Sequence, residues 1–498
     1  MTKQNNINII IFGGGTSGWL TAAYLVNNLQ FTTKITLIED KSKGPIGVGE
    51  GTQPFTPRFL MECGIPPKMW MKPSNSSLKY GVELIDWNDE PYFVDNDVMQ
   101  HQIIEQDFYV SDYFMSKSKK EYFDWYPSYR LAKKNVSQMM GDNLNINAGQ
   151  GIGAVHFGAY DIIETIKSLI LDKIEYVNTS IKDIVVDETG ISYLRDTRDS
   201  YRADLYFDCS GFKSSLLGES LNVPFNSYRK WLLNDRAVAI PTEYNNPQTE
   251  CHPYTKATTM KYGWRWTIPT FHRIGNGYVY SSDYLTEEDA EHELRTVLND
   301  FNSPSRHLKM KTGYHERIAH KNVVGVGLSA GFVEPLEATG ITFTTSVVKL
   351  ATEMLNRNGW NDETKRFINE NFRQMNEEIL AFIWAHYHWS TRKDTQYWRD
   401  VRKIAMSELP DGSRKILNSL LPVPKRFYFD NPTSMFNVCQ WFSVLKSGGV
   451  YDNISNNLSD EQIMYGQYYT ETISKKIELV EKYFPNHYDF LTKWYDGT

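Results

Sequence analysis

A chain of 498 residues is long enough to bury more than one hydrophobic core. Its net charge of −7 gives no basic footprint for nucleic acid or an anionic membrane surface, and no stretch is apolar for the length a bilayer crossing requires. Aromatic residues make up 14 % of the chain, with 13 Trp and 31 Tyr, an excess that points to lined pockets.

The start, "MTKQNNINIIIFGGG", lacks the charged, apolar and small-residue parts of a signal peptide, so a soluble, cytoplasmic protein is expected. Residues 7–12, "INIIIF", form a continuous apolar run of the kind that fills a central parallel strand. Gly13-Gly14-Gly15-Thr16-Ser17-Gly18 follows and satisfies G-x-G-x-x-G. A helical pattern, "SGWLTAAYLVNNL", comes next, and then a second strand, "KITLIED", ending in Glu39-Asp40. In this setting Gly13 permits a tight turn, Gly15 lets a pyrophosphate approach the backbone, and Gly18 lets the helix pack closely on the strand. The positive helix end faces the phosphates, and Glu39 accepts from a ribose diol while repelling a 2′-phosphate. FAD or NAD therefore fits better than NADP.

Further along, Lys79 precedes an alternating, strand-like stretch, and composition alone reads it as one exposed lysine among 53 basic side chains. Residues 84–150 are aromatic-rich and irregular, as in an insertion that caps a pocket. Gly149-Gln150-Gly151-Ile152-Gly153 has no apolar strand before it and reads as a loop. "ADLYFDCSG" (203–211) is another core strand ending at a glycine. In "GWRWTIPT" (263–270) strand geometry sends Trp264 and Trp266 to one face. "NVVGVGLSAG" (322–331) is a second strand running into glycines, and residues 332–357 carry a long helical pattern; a return to the first sheet suits one extended cofactor held at both ends, as a flavin dinucleotide is. From about residue 345 helical spacing dominates. Residues 421–432, with three prolines, read as a loop, and 435–445 read as a helix packing its aromatics into core. Cys63, Cys209, Cys251 and Cys439 form no C-x-x-C pair or metal-ligand cluster; they read as reduced, buried and structural, and no metal site is expected.

The sequence resembles the flavin-dependent halogenases of the tryptophan-halogenase family. The likeness rests on "GGGTSGW" (13–19), "IGVGEGTQP" (46–54), "ADLYFDCSG", "GWRWTIPT" with "GNGYVYSS" (275–282), "GLSAGFVEPLEATGI" (327–341) and "FIWAHY" (382–387). The most specific part is W-x-W-x-I-P, present as Trp264, Trp266, Ile268 and Pro269. The resemblance implies an α/β fold: a Rossmann-type FAD-binding, flavin-monooxygenase-like body over 1–345, with the capping insertion at about 84–150, and an α-helical substrate module over 346–498. It implies FAD, used as FADH2 from a separate flavin reductase, and chloride, bromide or iodide as co-substrate. Hypohalous acid would form at the flavin and travel through a tunnel to a catalytic lysine, the tryptophans keeping the flavin apart from the organic substrate.

By the same resemblance Lys79 is the catalytic lysine and Glu337 the second catalytic residue. Thr339 and Gly340 supply halide-binding backbone amides. Leu328 and Ile341 border the flavin ring, and Glu50 and Gly51 lie along the cofactor with the glycine loop. Ala338 stands where the family usually has serine. The family's contacts for free tryptophan are not recognisable in 88–135 or after 420, so the expected substrate is a small electron-rich aromatic of indole, phenol or pyrrole type. A flavin-dependent aromatic hydroxylase and a non-catalytic flavin-binding protein are the competing readings. Oligomeric state, including a homo-oligomer, is left open.

Overall fold

A computed structural model describes residues 7–42, 44, 49–96, 108–139, 153–421, 434–452 and 458–497. The first strand, Asn8–Phe12, sits inside a six-stranded sheet between Leu205–Asp208 and Lys34–Glu39, all parallel. Ile9, Ile10 and Ile11 are buried, which is why the run shows no alternation: both sheet faces are covered. Val323–Gly325 returns to this sheet beside Leu205–Asp208, as expected for a second cofactor element.

Two helices follow these strands and pack against one another. Thr16–Asn28 starts directly after the glycine turn. Thr339–Asn358 starts later than the 332–357 pattern predicts. Pro335 and the positive φ of Glu337 (66°) and Ala338 (55°) break the chain before it, leaving a short strand at Gly331–Phe332 and a tight turn at Leu336–Ala338.

A seven-stranded sheet holds Gly263–Pro269 near its centre, between Thr255–Met260 and Ile274–Tyr280. Gly81–Ile85 joins it in parallel with Thr255–Met260 and pairs on its other side with Tyr92–Asp95. A third, three-stranded sheet links the two halves of the site: Ala154–Gly158 pairs on one edge with Gly49–Gly51 and on the other with Ser77–Lys79.

The stretch read as irregular is regular where described. It contains the strand Tyr92–Asp95 and helices Phe108–Met115, Lys119–Asp124 and Pro127–Lys133. The helices are too short for their apolar spacing to stand out, and capping by Ser118 and an entry proline at Pro127 set their starts. Val438–Ser447 is a helix buried on all sides, as its aromatic content predicts. All four cysteines are free and buried, and no group of three metal-ligating side chains occurs among the described residues. Among those residues no helix is long and apolar enough to cross a membrane. Residues 149–152 and 422–432, read as loops, lie outside the described residues.

Candidate active site

One cavity of about 450 Å³ runs from the glycine loop to Lys79 and Glu337. Its nucleotide end is built by backbone. Gly13 has φ +122°, and a Cβ there would lie 2.3 Å from the Cys209 carbonyl oxygen. A Cβ on Gly18 would lie 1.9 Å from the Gly13 carbonyl oxygen, so helix and turn touch only because both residues are glycine. Gly15 is different: nothing lies within 4 Å of the position its Cβ would take, which leaves the approach to its backbone open. Gly14 rests on Glu39, whose Oε2 would be 1.8 Å from a Cβ at that position.

The helix behind the loop begins at Gly15 with no side-chain cap, and the helix at Thr339 begins at Ala338 with none either. Both therefore present unpaired first-turn N–H groups at their positive ends. The two starts are tied together by Ser17 Oγ and Thr344 Oγ1 at 3.0 Å. Thr16, Ser17, Gly340 and Ile341 line the cavity, as do Glu50, Gly51 and Leu328. Thr339 is buried beside them with its hydroxyl unpaired. Glu39 lies next to the loop, as spacing predicts. Sequence did not reveal its neighbours: Oε1 accepts from the Tyr176 hydroxyl and lies 3.5 Å from Lys167 Nζ.

These features fit a flavin dinucleotide: an open glycine backbone for the pyrophosphate, a carboxylate beside the glycine loop, and the apolar Leu328 and Ile341 for a ring system.

The far end is built by buried side chains from three distant segments. Lys79 is 2 % exposed at the end of its strand, and its Nζ donates to the Thr52 carbonyl at 2.8 Å. Glu337 is 2 % exposed, and neither carboxylate oxygen has a hydrogen-bond partner. Gln53 Nε2 donates to the Glu337 carbonyl at 2.7 Å and holds the left-handed turn that aims this side chain inward. Left-handed non-glycine residues cost about 1–3 kcal/mol each and persist where surrounding contacts fix them. Burial lowers the Lys79 pKa and raises that of Glu337, and the mutual attraction of the two charges opposes both shifts. Lys79 is thus far from the exposed lysine that composition alone suggests.

Trp264 and Trp266 form one wall, their ring centroids 6.3 Å apart, with Ile268 beside them and the Pro269 carbonyl taking a hydrogen bond from Ser77 Oγ. Trp264 Nε1 donates to Glu334 Oε1 at 2.6 Å, and the Tyr387 hydroxyl donates to the same oxygen at 2.5 Å. Glu334 is fully buried, which pushes its pKa up to about 7.

Glu334 is one of several polar residues that sequence reasoning gave no role. Another is His386, whose Nε2 is 3.7 Å from Glu337 Oε1 while Tyr92 bonds its Nδ1 at 2.7 Å. Burial alone pushes its pKa down to about 3, so the ring is neutral. The only signal for it was a histidine inside the apolar run "FIWAHY", which reads equally as core.

A glycine-loop α/β body, with one cavity leading from two uncapped helix starts to a desolvated lysine and carboxylate, defines an oxidoreductase of the dinucleotide-binding flavoprotein class. The tryptophan halogenase family model matches residues 8–462, and the chain belongs to that family.

The 7-chloro-L-tryptophan 6-halogenase KtzR of Kutzneria sp. is 31 % identical over 81 % of this chain and 83 % of its own length. The tryptophan 7-halogenase RebH of Lentzea aerocolonigenes is 30 % identical, covering 80 % of this chain and 79 % of its own. The structure of Tar14, a tryptophan C-6 flavin-dependent halogenase from taromycin biosynthesis, superposes with a TM-score of 0.85 at 28 % identity, covering 98 % of this chain and 99 % of that one. The protein is accordingly a flavin-dependent halogenase, an oxidoreductase that works with a separate flavin reductase.

Proposed function

We propose that the protein halogenates a small electron-rich aromatic of indole, phenol or pyrrole type, with Lys79 and Glu337 as its catalytic residues. The observation that carries this reading is one cavity joining the glycine loop to a buried lysine beside an unpaired carboxylate, with two indoles along its wall. Bound FADH2 supplies the electrons with which dioxygen oxidises halide to hypohalous acid. The chain's residues do the rest.

The N–H groups of Thr339 and Gly340, at the positive end of a 20-residue helix, hold the halide. Trp264, Trp266, Ile268 and Pro269 keep the organic ring away from the flavin while leaving a tunnel for the small oxidant. At its end Lys79 Nζ, as an ammonium, donates to the oxygen of hypohalous acid. The aromatic carbon then bonds to the halogen and the halogen–oxygen bond breaks. The leaving hydroxide takes a proton from Nζ and departs as water. A Glu337 oxygen takes the proton from the substituted carbon, and its return to Nζ resets the pair. The net reaction converts one aromatic C–H and one hypohalous acid into a carbon–halogen bond and water. A raised Glu337 pKa suits this role, because a stronger base removes the ring proton more readily. We assign the organic substrate to the helical region from residue 346, which brings His386 to Glu337.

The curated relatives named above are tryptophan and chlorotryptophan halogenases. Ala338 here leaves no hydroxyl beside Glu337. The test is a panel of indoles, phenols and pyrroles with chloride, bromide and iodide, supplied with a flavin reductase and read by product mass. Halogenated product from at least one ring class supports the reading; consumption of FADH2 without any halogenated product across the panel contradicts the assigned substrate class.

A further inference from the structure

The family match ends at residue 462, yet a helix beyond it, His487–Asp496, reaches the strand that carries Lys79. Ser77–Lys79 uses one edge to pair with Ala154–Gly158. On its other edge the chain is held by groups from elsewhere. The Leu78 N–H donates to His487 Nε2 at 3.2 Å, and the Tyr80 N–H donates to the Pro253 carbonyl at 2.6 Å. Lys79 is therefore bracketed on both sides in sequence by an anchored N–H.

The His487 ring has a defined tautomer. Its Nδ1 lies 2.9 Å from the Cys251 carbonyl, which can only accept, so Nδ1 carries the proton and Nε2 is free to accept from Leu78. The ring is fully buried, and that burial holds it neutral near pH 7. The same helix grips the strap before Lys79: the Tyr495 hydroxyl donates to the Ser76 carbonyl at 2.6 Å, and Lys72 Nζ donates to the Tyr495 carbonyl.

We infer that His487 is a positioning residue for Lys79, fixing through the Leu78 N–H where Nζ meets the oxidant. The inference rests on the proposed role of Lys79. A displacement of about 1 Å at a reacting group can cost roughly 10²-fold in rate.

Two substitutions separate positioning from simple support of the fold. His487→Gln puts an amide oxygen where Nε2 stood and can still accept from Leu78. His487→Asn reaches only the Nδ1 position, keeps the bond to Cys251 and leaves the Leu78 N–H unpaired. The readout is halogenated product divided by total oxidant, counted as product plus hypohalous acid caught by a chemical trap, with hydrogen exchange of the Leu78 amide measured in parallel. The Asn variant should lose about tenfold or more in this ratio and exchange the Leu78 amide faster, whereas the Gln variant should stay within about threefold of the parent in both. Equal ratios in parent, Gln and Asn variants overturn the inference. If the Asn variant does not fold, His487→Ser, which also leaves the Leu78 N–H without its acceptor, takes its place; an unchanged ratio there overturns the inference equally. Lys79→Ala run alongside distinguishes the failures: if it keeps its product the role of Lys79 falls, and if it loses product while the Asn variant does not, only the role of His487 falls.

Discussion

The nucleotide end and the lysine end of one cavity are made by opposite means. The first uses backbone: glycines that make room, two helix starts without side-chain caps, and two carboxylates, Glu39 and Glu50, all within 40 residues of one another apart from the second helix. The second uses ionisable side chains taken out of water and brought from residues 79, 337 and 386. Positive potential at the nucleotide end comes from fixed dipoles that do not titrate, and the carboxyl that burial has shifted there is Glu50, raised to about 7. Charge at the lysine end depends on two pKa values that burial has drawn together. The comparison teaches that one end offers an anion dipoles of fixed sign, while the other holds its charge on side chains that burial has moved off their ordinary pKa values.

That contrast is broken most severely at Lys79. Removing its amine in Lys79→Ala should lower product formation by about 10²–10⁴-fold, the usual weight of a positioned acid–base group. Product mass per FADH2 oxidised measures it, and unchanged product would remove the lysine end from the account.

At the nucleotide end the sharpest change is Gly15→Ala. The added methyl meets nothing in the protein, so the melting temperature should stay constant. FAD affinity should nonetheless fall about tenfold, roughly 1.4 kcal/mol, if the pyrophosphate lies against this residue. Titration of the apoprotein with FAD reads it directly, and full affinity would place the cofactor elsewhere.

The pH response sharpens the same comparison. Halogenation should inflect below the ordinary lysine range and above the ordinary glutamate range, the directions in which burial moves Lys79 and Glu337. FAD binding should respond instead to Glu50, weakening as pH rises through about 7 and that carboxyl ionises beside the cofactor. In Glu337→Gln the inflection due to the carboxyl should disappear; its persistence would assign the titration to another group.

The smallest effect concerns Glu334 beneath Trp264. Its pKa is raised to about 7, so the native state holds the proton more tightly than the unfolded chain does. Its stabilising contribution is complete below about 4.5 and is lost as pH rises through about 7. The parent should therefore lose a few degrees of melting temperature relative to Glu334→Gln over that interval. Parallel curves for the two proteins would show that Glu334 does not titrate there.

Legibility in the sequence follows the same division. Gly13–Gly18, the flanking strands and Glu39 could be read because their chemistry is local: strand, turn, helix and acid occur in order at fixed spacing. The return of Val323–Gly325 to the first sheet was readable from its strand-and-glycine repeat. At the other end Lys79 and Glu337 were marked only by resemblance, since a single lysine or glutamate carries no periodic signal. His386 and Glu334 carried nothing that tells site from core, because a histidine in an apolar run and an acid before a proline look alike in either, and His487, in the polar stretch "PNHYD", had no signal at all. Residues 84–150 misled for a different reason: helices of six to eight residues do not repeat their apolar pattern long enough to be recognised.

The central claim is that oxidant is made at one end of the cavity and used at the other, with Trp264 and Trp266 between them. It is tested most directly by supplying isotopically labelled dioxygen to the reductase-coupled protein with an accepted aromatic substrate, with and without halide, and weighing the products. The account predicts halogenated product free of label when halide is present and no oxygenated product when it is absent. Labelled oxygen on the ring in the absence of halide would mean that the substrate reaches the flavin, and would contradict it.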